Sequence, residues 1–341
     1  MKIQINGYFD RNFGDDMMIR TIASQLPEHD FYIASAAEVF TPFATQNNIH
    51  RTDEELPDAD AKALIIGAGF QISGMIPEIY ALYEYFGRKR SKKHPKTAII
   101  GCSIGTFRDP LAKFLMADII RQNSLITCRD RYSEEFLKKV AKRSAVKCHP
   151  DILFGLDDKL VLPKTGENCV GITLACPQSE MLETYCERLS RLADRLTAAG
   201  KKVLLFCFDV GRENDIKIAK RITELCERKE LIETISHTDD GTSIMQGFSR
   251  CSFVVCTRFH SVVLSLVTKT PFAAVSYNPK TVNMLCDIGY TGKVYDINSF
   301  DPDEIFAYLT SGISPAVVPE DYSRKARLHS EDLKNWLEGT V

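Results

Sequence analysis

Residues 251–280 read CSFVVCTRFHSVVLSLVTKTPFAAVSYNPK, and this stretch predicts a β-α-β unit. Two apolar runs, FVVCT and PFAAVSY, have the length and composition of buried strands, and the apolar segment between them fits one short helix. Because both runs are apolar throughout, we expect them to be covered on both faces, as in a parallel sheet. The carboxyl ends of the two strands then lie on the same edge.

Polar and cationic residues follow each of these strands. Arg258 and His260 come after the first strand, and Tyr277, Asn278 and Lys280 come after the second. The helix begins near His260, so its free N–H groups and the positive end of its dipole point toward the same edge. Together these residues predict an anion-binding site.

The bulk composition fits a two-domain globular chain. Its 341 residues are 44% hydrophobic and 26% charged, which is enough for two ordinary cores. The 43 Lys plus Arg against 45 Asp plus Glu give a net charge of −2, so nucleic acid is not an expected partner. The segment 1–10 lacks the features of a signal peptide and no apolar run is long enough to span a membrane, so we expect a cytoplasmic protein.

Strands and helices alternate along both halves of the chain, which is typical of doubly wound parallel sheets. Polar residues, Pro and Gly interrupt the apolar pattern at 157–168, where we expect the domain boundary. The predicted domains are residues 1–160 and 161–318. The segment 319–341 predicts an amphipathic helix whose apolar side must pack in a groove. The first domain is one place where this helix can pack.

Turns after the first-domain strands hold further candidates. Asn12, Gly14 and Asp15 lie in the turn FDRNFGDD, which has neither a GxGxxG nor a GK[ST] motif. The alternative for Asp15 or Asp16 is to cap the following helix. The loop GAGF (67–70) brings Gly69 to a strand end, where glycine allows a ligand to approach the backbone or serves packing alone.

Two charged segments allow two interpretations each, and a third segment resembles a metal site. Arg129 follows the strand LITC, and it either faces a ligand or pairs with Asp130. The basic run RKRSKKHPK (88–96) is either a solvated loop or a surface attracted to an anionic membrane or a lipid diphosphate. The string CHPDILFGL (148–156) offers potential metal ligands too close together in the chain for one tetrahedral site, so no metal is expected.

Several of these strings resemble the polysaccharide pyruvyl transferase family. They are GYFDRNFGDD, IIGAGF, RDRYSEEFL, PDILF and, most specifically, TRFHSVVLSLVTKTPFAAVSYNPKTVNML, which is similar to the family's Arg-x-His helix followed by its Tyr-x-x-Lys turn. The resemblance extends over most of residues 3–290. It departs from the family pattern at Ala68, where a glycine is common, and in ITLACPQ, which lacks an arginine.

The resemblance implies two Rossmann-like domains facing a cleft, as in two-domain (GT-B-like) glycosyltransferases. It also implies transfer of a pyruvyl group from phosphoenolpyruvate to two hydroxyls of a sugar, which makes a cyclic ketal on a cell-surface exopolysaccharide precursor. The acceptor is expected free or linked to a polyprenyl diphosphate, the latter at the inner face of the cell membrane. Phosphate loss drives the reaction, so no cofactor is expected.

Phosphoenolpyruvate carries a carboxylate and a phosphate close together, so its site must supply several cationic donors. We assign Arg129, Arg258 and Lys280 to it. His260 is the candidate general acid/base, because an imidazole can hold or release a proton near neutral pH. The resemblance assigns Asp15 to the acceptor sugar. Asn12, Gly14, Gly69, Tyr277 and Asn278 are expected to line the cleft.

Two rival functions stay open. A glycosyltransferase with a nucleotide-sugar donor would need an acidic residue for the ribose hydroxyls, which Asp239 or Asp240 could supply. A non-catalytic glycan-binding protein would share the fold but would have no use for Arg258, His260 and Lys280 on one edge.

Overall fold

The computed structural model describes residues 1–65, 96–105, 110–141 and 145–339. Its contacts divide the chain into two compact units. The first consists of Met1–Phe9, Asp15–Gly155 and Glu320–Val341, and the second of Asp10–Gly14 and Leu156–Pro319. Residues 10–14 therefore count with the second unit. The domain limits 1–160 and 161–318 stay predictions.

The first unit contains a parallel sheet with the strand order β3-β2-β1-β4-β5-β6-β7. Its strands are β1 Lys2–Asn6, β2 Asp30–Ala34, β3 Ile49–Thr52, β4 Ala61–Ile65, β5 Lys96–Cys102, β6 Leu125–Cys128 and β7 Ala145–Cys148. The described helices up to this point are α1 Phe13–Gln25, α2 Ala37–Phe40, α3 Pro110–Gln122 and α4 Arg131–Val140.

The second unit contains a parallel sheet with the order β10-β9-β8-β11-β12-β13. Its strands are β8 Cys169–Thr173, β9 Lys202–Cys207, β10 Ile232–Ser236, β11 Cys251–Cys256, β12 Phe272–Ser276 and β13 Val294–Asp296. Its helices are α5 Leu182–Ala198, α6 Asp215–Leu225, α7 Thr242–Arg250, α8 Phe259–Val267, α9 Pro279–Asp287 and α10 Pro302–Thr310; α11 Tyr322–Glu338 follows and belongs to the first unit.

Both sheets have the same topology. Counted along the chain within each unit, the first six strands lie in the order 3-2-1-4-5-6. In such a sheet the order reverses between the first and fourth strands, and ligands bind beyond the carboxyl ends of the strands at that switch point. The switch point of the second sheet lies between β8 and β11. The predicted β-α-β unit is confirmed as β11, α8 and β12.

The apolar runs that predict strands are the central strands of each sheet. In β11, Phe253, Val254 and Val255 are buried, and β12 is buried along its whole length. Burying an aliphatic side chain stabilises the fold by about 1.5–3 kcal/mol. Within the described ranges, no helix combines the length and the apolar character needed to cross a membrane.

Three short strands and the helices α2, α9 and α10 were not predicted. The edge strands β3, β7 and β13 contact a neighbour on one side only, and none is a continuous buried run. They therefore lack the apolar pattern by which a central strand is recognised. Helix α10 lies in the stretch after residue 291, which has no strong apolar period. Residues 88–95 of the basic run lie outside the described residues.

Within the first unit, α11 is fixed by a buried histidine. The Nε2–H of His329 donates to the carbonyl of Pro150 at 3.0 Å, and its Nδ1 lies 2.6 Å from the hydroxyl of Thr127. That hydroxyl accepts from the N–H of Gly101 at 2.9 Å, so its own proton goes to Nδ1. The arrangement requires a neutral ring. Burial, with the neighbouring His149, lowers the pKa of His329 to about 3.

We expect His329 to make the first unit sensitive to acid. Its pKa is lower in the folded chain than in the unfolded one, so its contribution to stability is present above about pH 6.5 and is lost as the pH falls. Between pH 7 and 5 the parent should lose about 2 kcal/mol more unfolding free energy than His329→Gln. The only tryptophan, Trp336, lies in α11, so its fluorescence in urea reports this unit.

Lys325→Gln on the same helix is the control for this comparison, because it changes an exposed side chain of α11. It should follow the parent curve. Parallel pH curves for the parent and His329→Gln would contradict the assignment.

Candidate active site

The candidate site of the second unit lies at the switch point of its sheet. Arg258 follows β11 by two residues, and its Nε donates to the carbonyl of Leu174, just after β8, at 2.6 Å. Thr257 links the same two strands, since its N–H donates to the hydroxyl of Thr173 at 2.9 Å and its hydroxyl donates to the Thr173 carbonyl at 2.5 Å. The carboxyl ends of the first and fourth strands are thus joined by side chains.

Two carboxylates enclose the guanidinium group of Arg258. Its Nη2 donates to Asp215 Oδ1 at 2.6 Å and to Glu213 Oε2 at 2.7 Å, and its Nε lies 3.2 Å from Asp215 Oδ2. The Asp215 side chain is fully buried, whereas that of Glu213 is 36% exposed. The edge predicted to be cationic therefore carries at least as much negative as positive charge around this arginine.

The charges of this cluster depend on each other. Burial raises the pKa of Asp215 to about 6, although Arg258 acts in the opposite direction. Burial alone would lower the pKa of Arg258, but the attraction of Asp215 and Glu213 raises it well above its ordinary value. We therefore describe Asp215 and Arg258 as an ion pair at neutral pH, since the two charges stabilise each other in a site with little water.

The loop 209–215, DVGREND, holds the carboxylates in place. Asp209 Oδ1 accepts from the N–H groups of Gly211 and Glu213, both at 3.2 Å. The N–H of Asp209 donates to Asp215 Oδ2 at 2.9 Å, and the N–H of Asp215 donates back to the Asp209 carbonyl at 2.8 Å. These carboxylates are not among the residues predicted from the sequence. A buried arginine requires a carboxylate partner, and the acidic residues of this loop were the signal in the sequence that could have identified it.

Residues 10–14 pair with this loop inside the second unit. Asn12 forms an isolated antiparallel bridge with Asp209, and its Nδ2 donates to Asp209 Oδ2 at 3.2 Å. The N–H of Phe13 donates to the Phe208 carbonyl at 2.8 Å, and the two rings lie 4.7 Å apart. Asn12 Oδ1 accepts from the N–H of Gly14 at 3.0 Å and so caps α1.

His260 lies in the first turn of α8 and is 7% exposed. Its ring stands edge-on to that of Phe259, with centroids 5.1 Å apart. A Cβ atom on Gly14 would lie 1.7 Å from His260 Nδ1, so only glycine leaves room for the imidazole. Helix α8 itself begins at Phe259 rather than at His260, and Ser261 Oγ accepts from the N–H of Arg258 at 3.3 Å.

The residues after β12 include a lysine that also contacts the ring of Phe259. The Nζ of Lys280 is 5.6 Å from the centroid of the Phe259 ring, within the range of a cation–π contact. Asn278 is buried and caps α9 by accepting from the N–H of Lys280 at 3.0 Å. Tyr277 is 44% exposed. Both the His260 ring and the Lys280 ammonium group therefore lie close to the ring of Phe259.

Two predicted residues belong to the first unit. Asp15 lies in the first turn of α1 and is buried, but the cap of that helix is Asn12, which corrects the alternative that Asp15 or Asp16 caps it. Arg129 donates from Nη1 to Asp151 Oδ2 at 2.6 Å, and both side chains are buried. Gly69 lies outside the described residues.

The sequence also left open a pair between Arg129 and Asp130, and this alternative is wrong. Asp130 instead caps α4 by accepting from the N–H of Ser133 at 2.7 Å. Asp151, 22 residues along the chain from Arg129, takes the place of Asp130. No group of three or more His, Cys, Asp or Glu side chains in the described part of the chain is arranged to hold a metal ion.

The sequence model of the polysaccharide pyruvyl transferase family matches residues 12–279. The chain belongs to this family. The match begins at Asn12 in the turn that faces His260 and ends at Pro279, one residue before Lys280. It confirms the resemblance inferred from separated motifs. No curated protein matches the sequence.

Solved structures support the fold of this pyruvyl transferase family member. UDP-GlcNAc 2-epimerase from Neisseria meningitidis bound to UDP-GlcNAc is similar, with a TM-score of 0.65 and 10% identity over 98% of this chain and 100% of that one. UDP-N-acetylglucosamine 2-epimerase from Rickettsia bellii has a TM-score of 0.63 and 10% identity, over 99% of this chain and 96% of that one. The wall teichoic acid polymerase TagF has a TM-score of 0.53 and 10% identity, over 99% of this chain and 88% of that one. The predicted class of two Rossmann-like, GT-B-like units is confirmed.

Gly14→Ala should displace the His260 ring, because the new methyl group would occupy the position of the imidazole. We expect a shift of the His260 ring resonances and a loss of about 1–3 kcal/mol in stability, the usual cost of overpacking. Ring proton–carbon NMR spectra assigned with His260→Gln would measure the displacement. Gly155→Ala is the control, since its Cβ would come no nearer than 3.1 Å to any neighbour. Unchanged His260 resonances would refute the contact.

Asp151→Ala should strongly destabilise the first unit. It leaves the Arg129 charge buried without this carboxylate, and breaking such a pair costs about 3–5 kcal/mol. Asp58→Ala removes a carboxylate from the exposed pair with Lys2 and should cost far less, because water screens an exposed pair. Urea unfolding followed by Trp336 fluorescence compares them, and equal losses would argue against a buried ion pair.

Proposed function

We propose that this protein transfers the pyruvyl group of phosphoenolpyruvate to two hydroxyls of a sugar, with release of phosphate. The observation that carries the proposal is the family match, which includes the Arg258-x-His260 turn at the switch point of the second sheet. Ligands of open α/β sheets bind at that point. A buried imidazole at the first turn of a helix, with the ammonium group of Lys280 near the adjacent Phe259 ring, supports proton transfer next to an anion.

The reaction needs two C–O bonds to form at the same carbon. The enol methylene takes up a proton and becomes a methyl group, and one sugar hydroxyl adds to the resulting cationic carbon. The second hydroxyl replaces the phosphate, whose C–O bond breaks. The two hydroxyl groups lose one proton each. One of these protons balances the proton taken up by the new methyl group, and the other goes to the released phosphate. A single group that gives and then takes a proton serves both additions, and we assign this role to His260.

The donor contacts in this proposal come from the second unit. Lys280 and the N-terminus of α8 supply positive charge, and Asn278 and Tyr277 lie beside them in the chain. Arg258 uses Nε and Nη2 for carboxylates and a carbonyl; among the described residues, Nη1 makes no hydrogen bond and would be the nitrogen that meets the ligand. Asn12 and Gly14 fix the position of His260 in this scheme.

The residues of the first unit have less support. Arg129 is engaged with Asp151 and Ser103, which supports a structural role rather than direct contact with the donor. Asp15 remains the residue proposed for the acceptor sugar, by resemblance to the family alone. The acceptor is a polysaccharide precursor, and its attachment to a polyprenyl diphosphate at the inner face of the membrane is part of the same proposal.

A nucleotide-sugar donor is the main rival. Solved epimerases of similar fold are described with UDP-GlcNAc, but the low identity extends that likeness to the fold alone. The acidic residues that this rival would use are engaged locally. Asp239 accepts from the N–H groups of Gly241 and Ser243, and Asp240 accepts from Thr242. These contacts close the first turn of α7 and do not favour ribose binding.

Thermal unfolding with millimolar phosphoenolpyruvate tests the donor. A ligand that binds the folded state raises its stability by mass action, so the midpoint should rise with phosphoenolpyruvate and not with nucleotide sugars. Lys280→Gln should weaken the effect about tenfold, because a charge-assisted contact is lost. Lys293→Gln is the matched control, since this lysine also lies near an aromatic ring, that of Tyr295.

His260→Gln tests the chemical step. It should bind phosphoenolpyruvate like the parent but release phosphate about 10²–10⁴-fold more slowly when acceptor glycan is present. Mass spectrometry of the glycan would show the pyruvyl ketal in the parent reaction. Stabilisation by a nucleotide sugar instead of phosphoenolpyruvate would favour a glycosyltransferase. Full activity of His260→Gln would remove this residue from the mechanism, and binding of glycan without turnover would favour a non-catalytic protein.

A further inference from the structure

A cavity of the second unit lies away from the candidate active site. It has a volume of about 310 Å³, at the lower end of the range of about 300–1,000 Å³ that is usual for small-molecule pockets. Its walls come from the start of β12, the turn after α9 and the loop after α10; they include Phe272, Tyr290, Thr291, Tyr308, Ser314 and Ala316.

The turn after α9 builds one wall of this cavity. Gly289 has a φ of +68°, a left-handed conformation that glycine adopts without strain, and the N–H of Tyr290 then donates to the carbonyl of Leu285 at 2.9 Å. The turn brings the Tyr290 ring parallel to that of Phe272, with centroids 5.1 Å apart and an angle of 14°. A Cβ on Gly292 would lie 2.2 Å from the Tyr290 hydroxyl, so glycine is needed there too.

Among the residues that the structure describes, those lining the cavity carry no charged side chain. It combines the aromatic rings of Tyr290 and Tyr308 with hydroxyl groups from these tyrosines, Thr291 and Ser314. Hydroxyl groups both donate and accept hydrogen bonds, which matches the hydroxyls of a sugar. Aromatic faces carry partial negative charge and attract the weakly positive C–H groups of a pyranose ring. A neutral lining gives no compensation for the desolvation of an anion.

The cavity is remote from the candidate active site within the same sheet. Phe272 begins β12, whereas the active-site residues Tyr277, Asn278 and Lys280 follow its other end. Five strand residues span about 13 Å at 3.3 Å per step. A ligand in the cavity therefore does not occupy the position of the donor.

We propose that this cavity is a saccharide-binding site that takes one neutral sugar residue of a glycan, separate from the site of pyruvyl transfer. The family membership supplies the substrate class, because such a protein acts on polysaccharides. A polymer held at the cavity by one residue would raise the effective concentration of its other residues near the protein. The inference does not depend on phosphoenolpyruvate chemistry, so its test needs no turnover.

Saturation-transfer NMR with the methyl glycosides of glucose, galactose and mannose tests the site without any donor present. Geraniol and inorganic phosphate serve as the apolar and anionic probes. Ala316→Trp fills the cavity and should weaken glycoside binding at least tenfold. Ala307→Trp, at an exposed position on α10, should bind like the parent. Near-equal thermal midpoints of the two variants establish that both are folded.

We expect at least one glycoside to bind the parent and Ala307→Trp but not Ala316→Trp, and to bind His260→Gln unchanged. Equal binding to Ala316→Trp would place the sugar elsewhere and overturn the proposal. Absence of glycoside binding to the parent would overturn it too, as would binding of geraniol or phosphate in place of the glycosides. None of these outcomes affects the proposed donor, which is tested by phosphoenolpyruvate binding.

Discussion

A buried arginine paired with a buried aspartate lies beyond the carboxyl edge of each sheet. Arg129 follows β6 and pairs with Asp151, and Arg258 follows β11 and pairs with Asp215. Taking these charges out of water is costly, and the cost is offset only when each guanidinium group finds a carboxylate in good geometry. Each pair therefore fixes the chain after its strand, and other contacts at that edge depend on it.

In the second unit the pair of Arg258 and Asp215 also determines the position of the candidate catalytic residue, His260. The closed loop 209–215 positions Asp215, which positions Arg258 at the start of α8, and the first turn of that helix then carries His260. The same loop pairs with residues 10–14, so that Gly14 comes against the imidazole. A histidine enclosed in this way has a defined orientation, which proton transfer to a bound substrate requires.

The sequence predicted the regular parts of the fold and the local part of the site. Apolar runs identified the central strands, and the order of short motifs identified the family, because both are patterns between near neighbours in the chain. Three of the four edge strands, β3, β7 and β13, were missed, since a strand at the edge of a sheet need not be a continuous apolar run. The acidic partners of Arg258 were missed for another reason, because they are distant from it in the sequence. Asp215 is 43 residues away from Arg258.

The sequence by itself determined the β-α-β unit, the alternation that makes two parallel sheets, and the placement of Arg258, His260 and Lys280 at one edge. The tertiary structure decided what surrounds them. The sequence predicted a cluster of cations, whereas in the structure carboxylates surround Arg258. The structure also places residues 10–14 with the second unit. The physical reason is that propensity and periodicity are local, whereas the desolvation of a charge depends on every group that folding brings around it.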